Sequence, residues 1–188
     1  IKVAFAGDGS DEIFGNYLAH RLAQPIFNHG NVGIHKDSYT QQELSLIGKM
    51  SKLKEHQWRY ELYNMFSSLE KQKLFNSDIY TEMKGLNSEE YIKSKFASIE
   101  TQDPQNRIQE YEMKTLLVDQ ILEFNDKLSM ANSVECRVPY LENDFFDFAS
   151  SLPGHHRINN TITKYILKKS ASKILPRSTI NRKNVGFQ

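Results

Sequence analysis

The sequence has one cysteine, Cys136, so no disulfide can form within the chain. With no signal-like N-terminus, the expected setting is a reducing one, the cytoplasm. No apolar run approaches the roughly 20 residues that a membrane-crossing helix requires, and no membrane partner is expected. Excess charge is also lacking. Twenty-four basic side chains against 23 acidic ones leave a net charge of +1, which argues against a general nucleic-acid binder that works by neutralising phosphates. The six histidines show no metal-ligand spacing, and the adjacent His155 and His156 read as an exposed turn, so no zinc site is expected. Acidic residues are missing altogether after Asp147. From there to the end Arg157, Lys164, Lys168, Lys169, Lys173, Arg177, Arg182 and Lys183 are all cationic, a segment suited to an anionic ligand.

What is present is enough for one substantial core: 188 residues, 39% of them hydrophobic and 25% charged. The chain opens directly into the apolar run VAFAG, which reads as a buried strand already in progress, so a fragment of a larger domain is expected. That strand, near residues 2 to 6, ends in GDGSDE, a tight loop followed by a helix beginning near Ser10. The loop therefore sits at the carboxyl end of a strand, where open α/β sheets bind ligands. Residues 28 to 38, with Gly30 and Gly33, have no clear period and read as a loop.

Helical periodicity then takes over. Leu44, Ile47 and Met50, followed by Trp58, Leu62, Met65, Phe66 and Leu69, recur at helical spacing and are expected to face a core. Met113, Leu117, Ile121, Phe124 and Leu128 mark a long amphipathic helix whose polar face carries Glu112, Asp119 and Asp126. VECRVPY alternates apolar and charged residues and meets Pro139, so it should be extended. A short helix through Phe145, Phe148, Ala149 and Leu152 should close at Pro153 and Gly154, and another should run from about Thr161 to Lys173.

Chemistry has three candidate locations. In GDGSDE, Gly7 and Gly9 allow a tight turn and close approach to a ligand, while Asp8, Asp11 and Glu12 supply hard oxygens suited to phosphate-bound Mg²⁺. Ser10 as N-cap with Asp11 and Glu12 in the first turn would equally serve any helix start, so spacing alone leaves both readings open. Glu135 and Arg137 share one side of an extended segment and can pair with each other or hold a charged substrate. Lys164 and Lys168 lie one helical turn apart, a mild repulsion unless an anion sits between them. Cys136 falls on the face opposite Glu135 and Arg137 and is expected to be buried and inert.

Taken in order, GDGSDEIFGNY, LSMANSVECRVPYLE, TKYILKKS and LPRSTINRKNVGF resemble the synthetase domain of glutamine-hydrolysing asparagine synthetases along the whole chain. The resemblance implies an α/β fold, the mostly helical C-terminal part of an adenine-nucleotide α-hydrolase-like (ATP-pyrophosphatase) domain. One strand would join a parallel sheet whose other strands lie upstream. It implies an ATP- and Mg²⁺-dependent ligase in which a carboxylate, aspartate in the family, attacks the α-phosphate to give an acyl-adenylate that ammonia from glutamine then converts to an amide. By resemblance Lys164 faces the α-phosphate, and Asp11 is the metal-binding carboxylate. Gly7, Gly9, Ser10, Asp11 and Glu12 flank ATP and pyrophosphate, Asp8 lies near the amination chemistry, and Glu135 and Arg137 shape the active-site wall. Partners would be these small molecules, with room for a homodimer in the parent.

This sequence departs from the family pattern at Asn16, where a second glycine is common, at Leu128, where methionine is usual, and at Glu142, where aspartate is common. The upstream phosphate loop SGG-x-DS and the glutaminase with its terminal cysteine are not in this sequence, so residues 1–188 alone are expected to be inactive. Related folds that act on other carboxylates, β-lactam synthetases and lasso-peptide cyclases, remain alternatives, as does a polyanion-binding module built on the basic C-terminal segment.

Overall fold

The alternation that made VECRVPY an extended segment gives it a partner inside the chain. In the computed structural model, which describes residues 1–29, 36–83 and 87–182, strand β1 (Val3–Phe5) pairs in parallel with strand β2 (Glu135–Arg137). The register places Val3 opposite Glu135, Ala4 opposite Cys136 and Phe5 opposite Arg137. The expectation of one strand whose neighbours all lie upstream is thus corrected, because β1 finds a neighbour downstream. Parallel strands cannot be joined by a tight turn, and here the connection contains most of the helices among the described residues. The described residues are otherwise mainly helical. None of their helices is long and apolar enough to cross a membrane. Gly30, Gly33 and Lys183 lie outside the described residues. The loop expected over residues 28–38 ends in a single 3₁₀ turn, Lys36–Ser38.

The chain divides into two compact units, one formed by residues 1–17 with 112–188 and the other by 18–111. The contiguous unit is helical. Its core gathers Leu22, Ala23, Ile26, Ile47, Met50, Trp58, Phe96 and Ile108, and Phe96 stacks on Tyr111 with ring centroids 4.5 Å apart. Its helices start on strong local signals. Thr40 accepts from the Glu43 amide while the Glu43 carboxylate accepts from the Thr40 amide, and Ser67 with Glu70 repeats this reciprocal cap. The apolar pattern proves too generous at one end. The helix Glu55–Tyr63 stops before Met65, Phe66 and Leu69, which lie on the surface rather than in the core.

The discontinuous unit contains β1, β2 and a smaller core of Ile13, Phe14 and Ala149, against which Tyr140, Leu141, Phe145 and Ile166 pack. The helix expected across Met113 to Leu128 is two kinds of helix, a π-helical stretch over Met113–Leu122 and an α-helix over Glu123–Ala131. Leu117 is buried, whereas Phe124 and Leu128 are exposed. Glu112, expected on the polar face, is fully buried. Arg157, counted with the basic C-terminal segment, is only 2% exposed, and its guanidinium lies 3.5 Å from the Ile13 carbonyl oxygen. The basic surface therefore lacks one of its expected members.

Candidate active site

β1 delivers the chain to the glycine and acid loop. The Ala6 amide donates to the Arg137 carbonyl at 2.9 Å, extending the strand ladder by one bond, and the chain then turns through Gly7, Asp8 and Gly9 into the helix Ser10–Phe14. Gly9 makes the turn possible. Its φ is +83°, and a Cβ there would lie 2.5 Å from Leu141 Cδ2, so neither the backbone conformation nor the space suits a side chain. Gly9, and not Ser10, occupies the position before the helix, and no side chain caps it. The Ser10 hydroxyl is thereby free of the capping role and turns to Lys164.

Lys164 Nζ lies 3.1 Å from Ser10 Oγ and forms an ion pair with the Asp11 carboxylate. The Lys164 side chain is 18% exposed and that of Asp11 31%. The backbone at Lys164 departs from expectation. Instead of lying within a helix, it immediately precedes the helix Tyr165–Ala171, in a left-handed conformation with φ 51° and ψ 38°. For a residue with a Cβ this costs about 1–2 kcal/mol, and such conformations persist where surrounding contacts impose them. Two such contacts are present. The Lys164 amide donates to the Gly15 carbonyl at 3.2 Å, and Thr163 Oγ1 donates to Asn16 Oδ1 at 3.1 Å. Lys168, one turn on, has its ammonium pKa lowered by burial and by the Lys164 charge beside it.

The other expected residues divide. Asp8 is half-buried, and the side-chain amide of Asn125, on the helix Glu123–Ala131, donates to its carboxylate. Gly7 is exposed, with open space where a Cβ would stand. Glu12 turns inward instead of lining the loop. It is 1% exposed and accepts the Tyr17 hydroxyl at 2.5 Å, and burial with the Glu12 carboxylate pushes the Tyr17 phenol well above its ordinary pKa. Glu135 and Arg137 pair with each other at 2.8 Å and are both more than half exposed. Cys136, expected to be buried, is only partly so.

The structure thus brings Ser10, Asp11 and Lys164 together, holds Asp8 nearby in sequence on Asn125, and withdraws Glu12. Asn125 and Thr163 were not singled out from sequence. A mid-helix asparagine, unfavourable for helix propensity alone, was the available signal for the first. As a metal site, this set offers two partly exposed carboxylates, Asp8 and Asp11. The described residues contain no group of three or more His, Cys, Asp or Glu side chains arranged to hold a metal. That fits Mg²⁺ carried on phosphate oxygens, which takes one or two carboxylates, and does not fit a protein-only cage.

A family model described as asparagine synthase matches residues 1–188. The chain belongs to the asparagine synthase family. It is similar to "Asparagine synthetase [glutamine-hydrolyzing] 1" of Bacillus subtilis, with 29% identity over 194 residues covering 100% of this chain and 30% of that protein. It is also similar to "Putative asparagine synthetase [glutamine-hydrolyzing]" of Mycobacterium tuberculosis H37Rv, with 30% identity over 200 residues covering 100% of this chain and 29% of that protein. The chain therefore spans less than a third of the length of these curated relatives. No solved structure gives a significant match.

Proposed function

We propose that residues 1–188 form the C-terminal part of an ATP-pyrophosphatase synthetase domain. Its parent would convert aspartate to asparagine with ammonia derived from glutamine, using ATP and Mg²⁺ in the cytoplasm. The observation that carries this reading is the convergence of Lys164, Ser10 and Asp11, three residues from two distant stretches of sequence, at the turn that follows β1. In the first step a carboxylate oxygen of aspartate attacks the α-phosphorus, and the bond to the bridging oxygen breaks to release pyrophosphate. In the second, the ammonia nitrogen attacks the acyl carbon, AMP leaves, and the nitrogen gives up a proton.

Each residue then has a task. The Lys164 ammonium stabilises the negative charge that grows on the α-phosphate oxygens, and Ser10 and Asp11 hold that ammonium in place beforehand. Mg²⁺, held by Asp11 together with phosphate oxygens and water, would supply charge neutralisation for the departing pyrophosphate. Lys168, already disfavoured as a cation by burial and by the Lys164 charge, gains a counter-charge when an anionic phosphate chain arrives. Asp8, oriented by Asn125, is the acceptor for the proton lost in amination. Glu135 and Arg137, paired at the surface on β2, form wall rather than machinery.

Labelled pyrophosphate–ATP exchange in the full-length parent tests this. Exchange that requires aspartate and Mg²⁺ and collapses in Lys164→Met supports it. Exchange with a different carboxylate keeps the adenylation chemistry and changes the substrate, while absence of exchange with any carboxylate overturns the catalytic reading.

A further inference from the structure

The contacts around Lys164 form a closed circuit with the helix Ser10–Phe14. The Asp11 side chain carries the Lys164 ammonium, and the Asp11 carbonyl accepts the amides of Gly15 at 2.9 Å and Asn16 at 3.1 Å. Gly15 in turn accepts the Lys164 amide, and Asn16 accepts the Thr163 hydroxyl. The same short helix therefore holds Lys164 at both ends, by the backbone and by the ammonium. Upstream, Asn159 and Ile162 exchange backbone hydrogen bonds at 3.1 and 2.9 Å around a turn with Asn160 in a left-handed conformation, so Thr163 leaves a fixed point.

We propose that Asn16 and Thr163 are positioning residues for Lys164. Their side-chain hydrogen bond fastens the segment that keeps Lys164 left-handed and so fixes where its ammonium stands. Neither side chain is assigned contact with substrate. The inference rests on the role proposed above for Lys164. Asn16 suits the task because its amide oxygen can accept across the gap between the two loops, which a glycine at the same position has no side chain to do.

The test is made in the full-length parent by aspartate-dependent pyrophosphate–ATP exchange. Thr163→Val removes the donor while keeping the shape, and it is expected to lower kcat about tenfold with KM for ATP within about twofold, the scale of one lost hydrogen bond. Thr163→Ser, which keeps the hydroxyl, should recover most of the rate. In a Lys164→Met background, Thr163→Val should cause no further loss, because its effect passes through Lys164. Amide hydrogen exchange gives a readout independent of turnover: exchange at Lys164 should quicken in Thr163→Val and in Asn16→Leu, and should keep its wild-type rate in Thr163→Ser.

If Thr163→Val matches wild type in rate and in Lys164 amide protection while Lys164→Met is crippled, the positioning role is overturned and the catalytic reading survives. Equal losses from Thr163→Val with and without Lys164 would likewise overturn it, by showing a general structural effect. Full exchange in Lys164→Met would remove the catalytic reading itself, and with it the reason for positioning.

Discussion

Lys164 Nζ reaches Ser10 Oγ at 3.1 Å across 154 positions of sequence, and its ammonium pairs with the neighbouring Asp11 carboxylate. The loop at the end of β1 and the basic C-terminal segment thus contribute opposite charges to one corner. Before any ligand arrives, the lysine is already directed and its hydrogen-bonding partners are chosen, which is the condition for electrostatic stabilisation of a transition state.

Replacing that lysine should therefore affect turnover more than binding. Lys164→Met in the parent is expected to lower kcat about a hundredfold, roughly 3 kcal/mol, with a smaller change in ATP affinity. Steady-state exchange kinetics paired with equilibrium nucleotide binding separate the two quantities. Equal losses in both would show that the ammonium binds ground state and transition state alike.

Gly9 is predicted to tolerate no side chain. Gly9→Ala combines a left-handed backbone with a Cβ at 2.5 Å from Leu141 Cδ2 and 2.9 Å from its Cγ. The expected destabilisation is about 2 kcal/mol, read as a shift in urea midpoint. Because Leu141 is the neighbour that must move, the double variant Gly9→Ala with Leu141→Ala should lose less than the sum of the two single changes.

Lys168 gives a prediction with a pH sign. Burial and the Lys164 charge lower its folded-state pKa. In the interval between that value and the ordinary lysine range near about 10.4 the unfolded chain binds more protons, so this group's contribution to stability rises with pH. Lys168→Gln should accordingly melt higher than the unsubstituted protein at neutral pH without nucleotide, and the difference should narrow as pH climbs toward about 10. The same substitution should weaken pyrophosphate binding, since a cation is lost from the site. Thermal melts across pH and calorimetric titration with pyrophosphate check the two halves.

Asn125 should matter to the second half-reaction. Asn125→Asp replaces a donor to Asp8 with a second carboxylate, so two like charges face each other. Amide formation is expected to fall by about tenfold or more, the scale of a hydrogen bond to a charged group, while pyrophosphate exchange changes little. Loss of both activities together would place Asp8 in adenylation instead.

The sequence was most readable where local chemistry dominates. VAFAG as a strand, GDGSDE as a turn into a helix and the apolar positions Ile47, Met50 and Trp58 stand as expected, because periodicity and glycine act over a few residues, but the strand expected to be buried exposes Val3 and Phe5. Legibility failed where distant segments decide. Glu12 looked like a loop ligand, and its burial against the Tyr17 hydroxyl makes it an interior acid. Arg157 looked like one more surface cation, and tertiary packing buries it. The switch to π-helix at Met113 left no mark in the apolar spacing, and Phe124 and Leu128 lie on the surface rather than in a core. No propensity placed Lys164 in a left-handed turn. Its conformation is imposed by Gly15, Asn16 and Asp11 from the other end of the chain.

The pairing of Val3 with Glu135 also has a consequence during synthesis. The ribosome delivers β1 roughly 130 residues ahead of β2, a delay on the order of 10 s at ordinary elongation rates. Throughout that interval Val3 and Phe5 wait without β2, while the residues of the larger apolar core, all within 18–111, are already made. The corner that contains Lys164 closes only after residue 164 has emerged, so a ribosome stalled before that point releases a chain that cannot hold the charge pair at all.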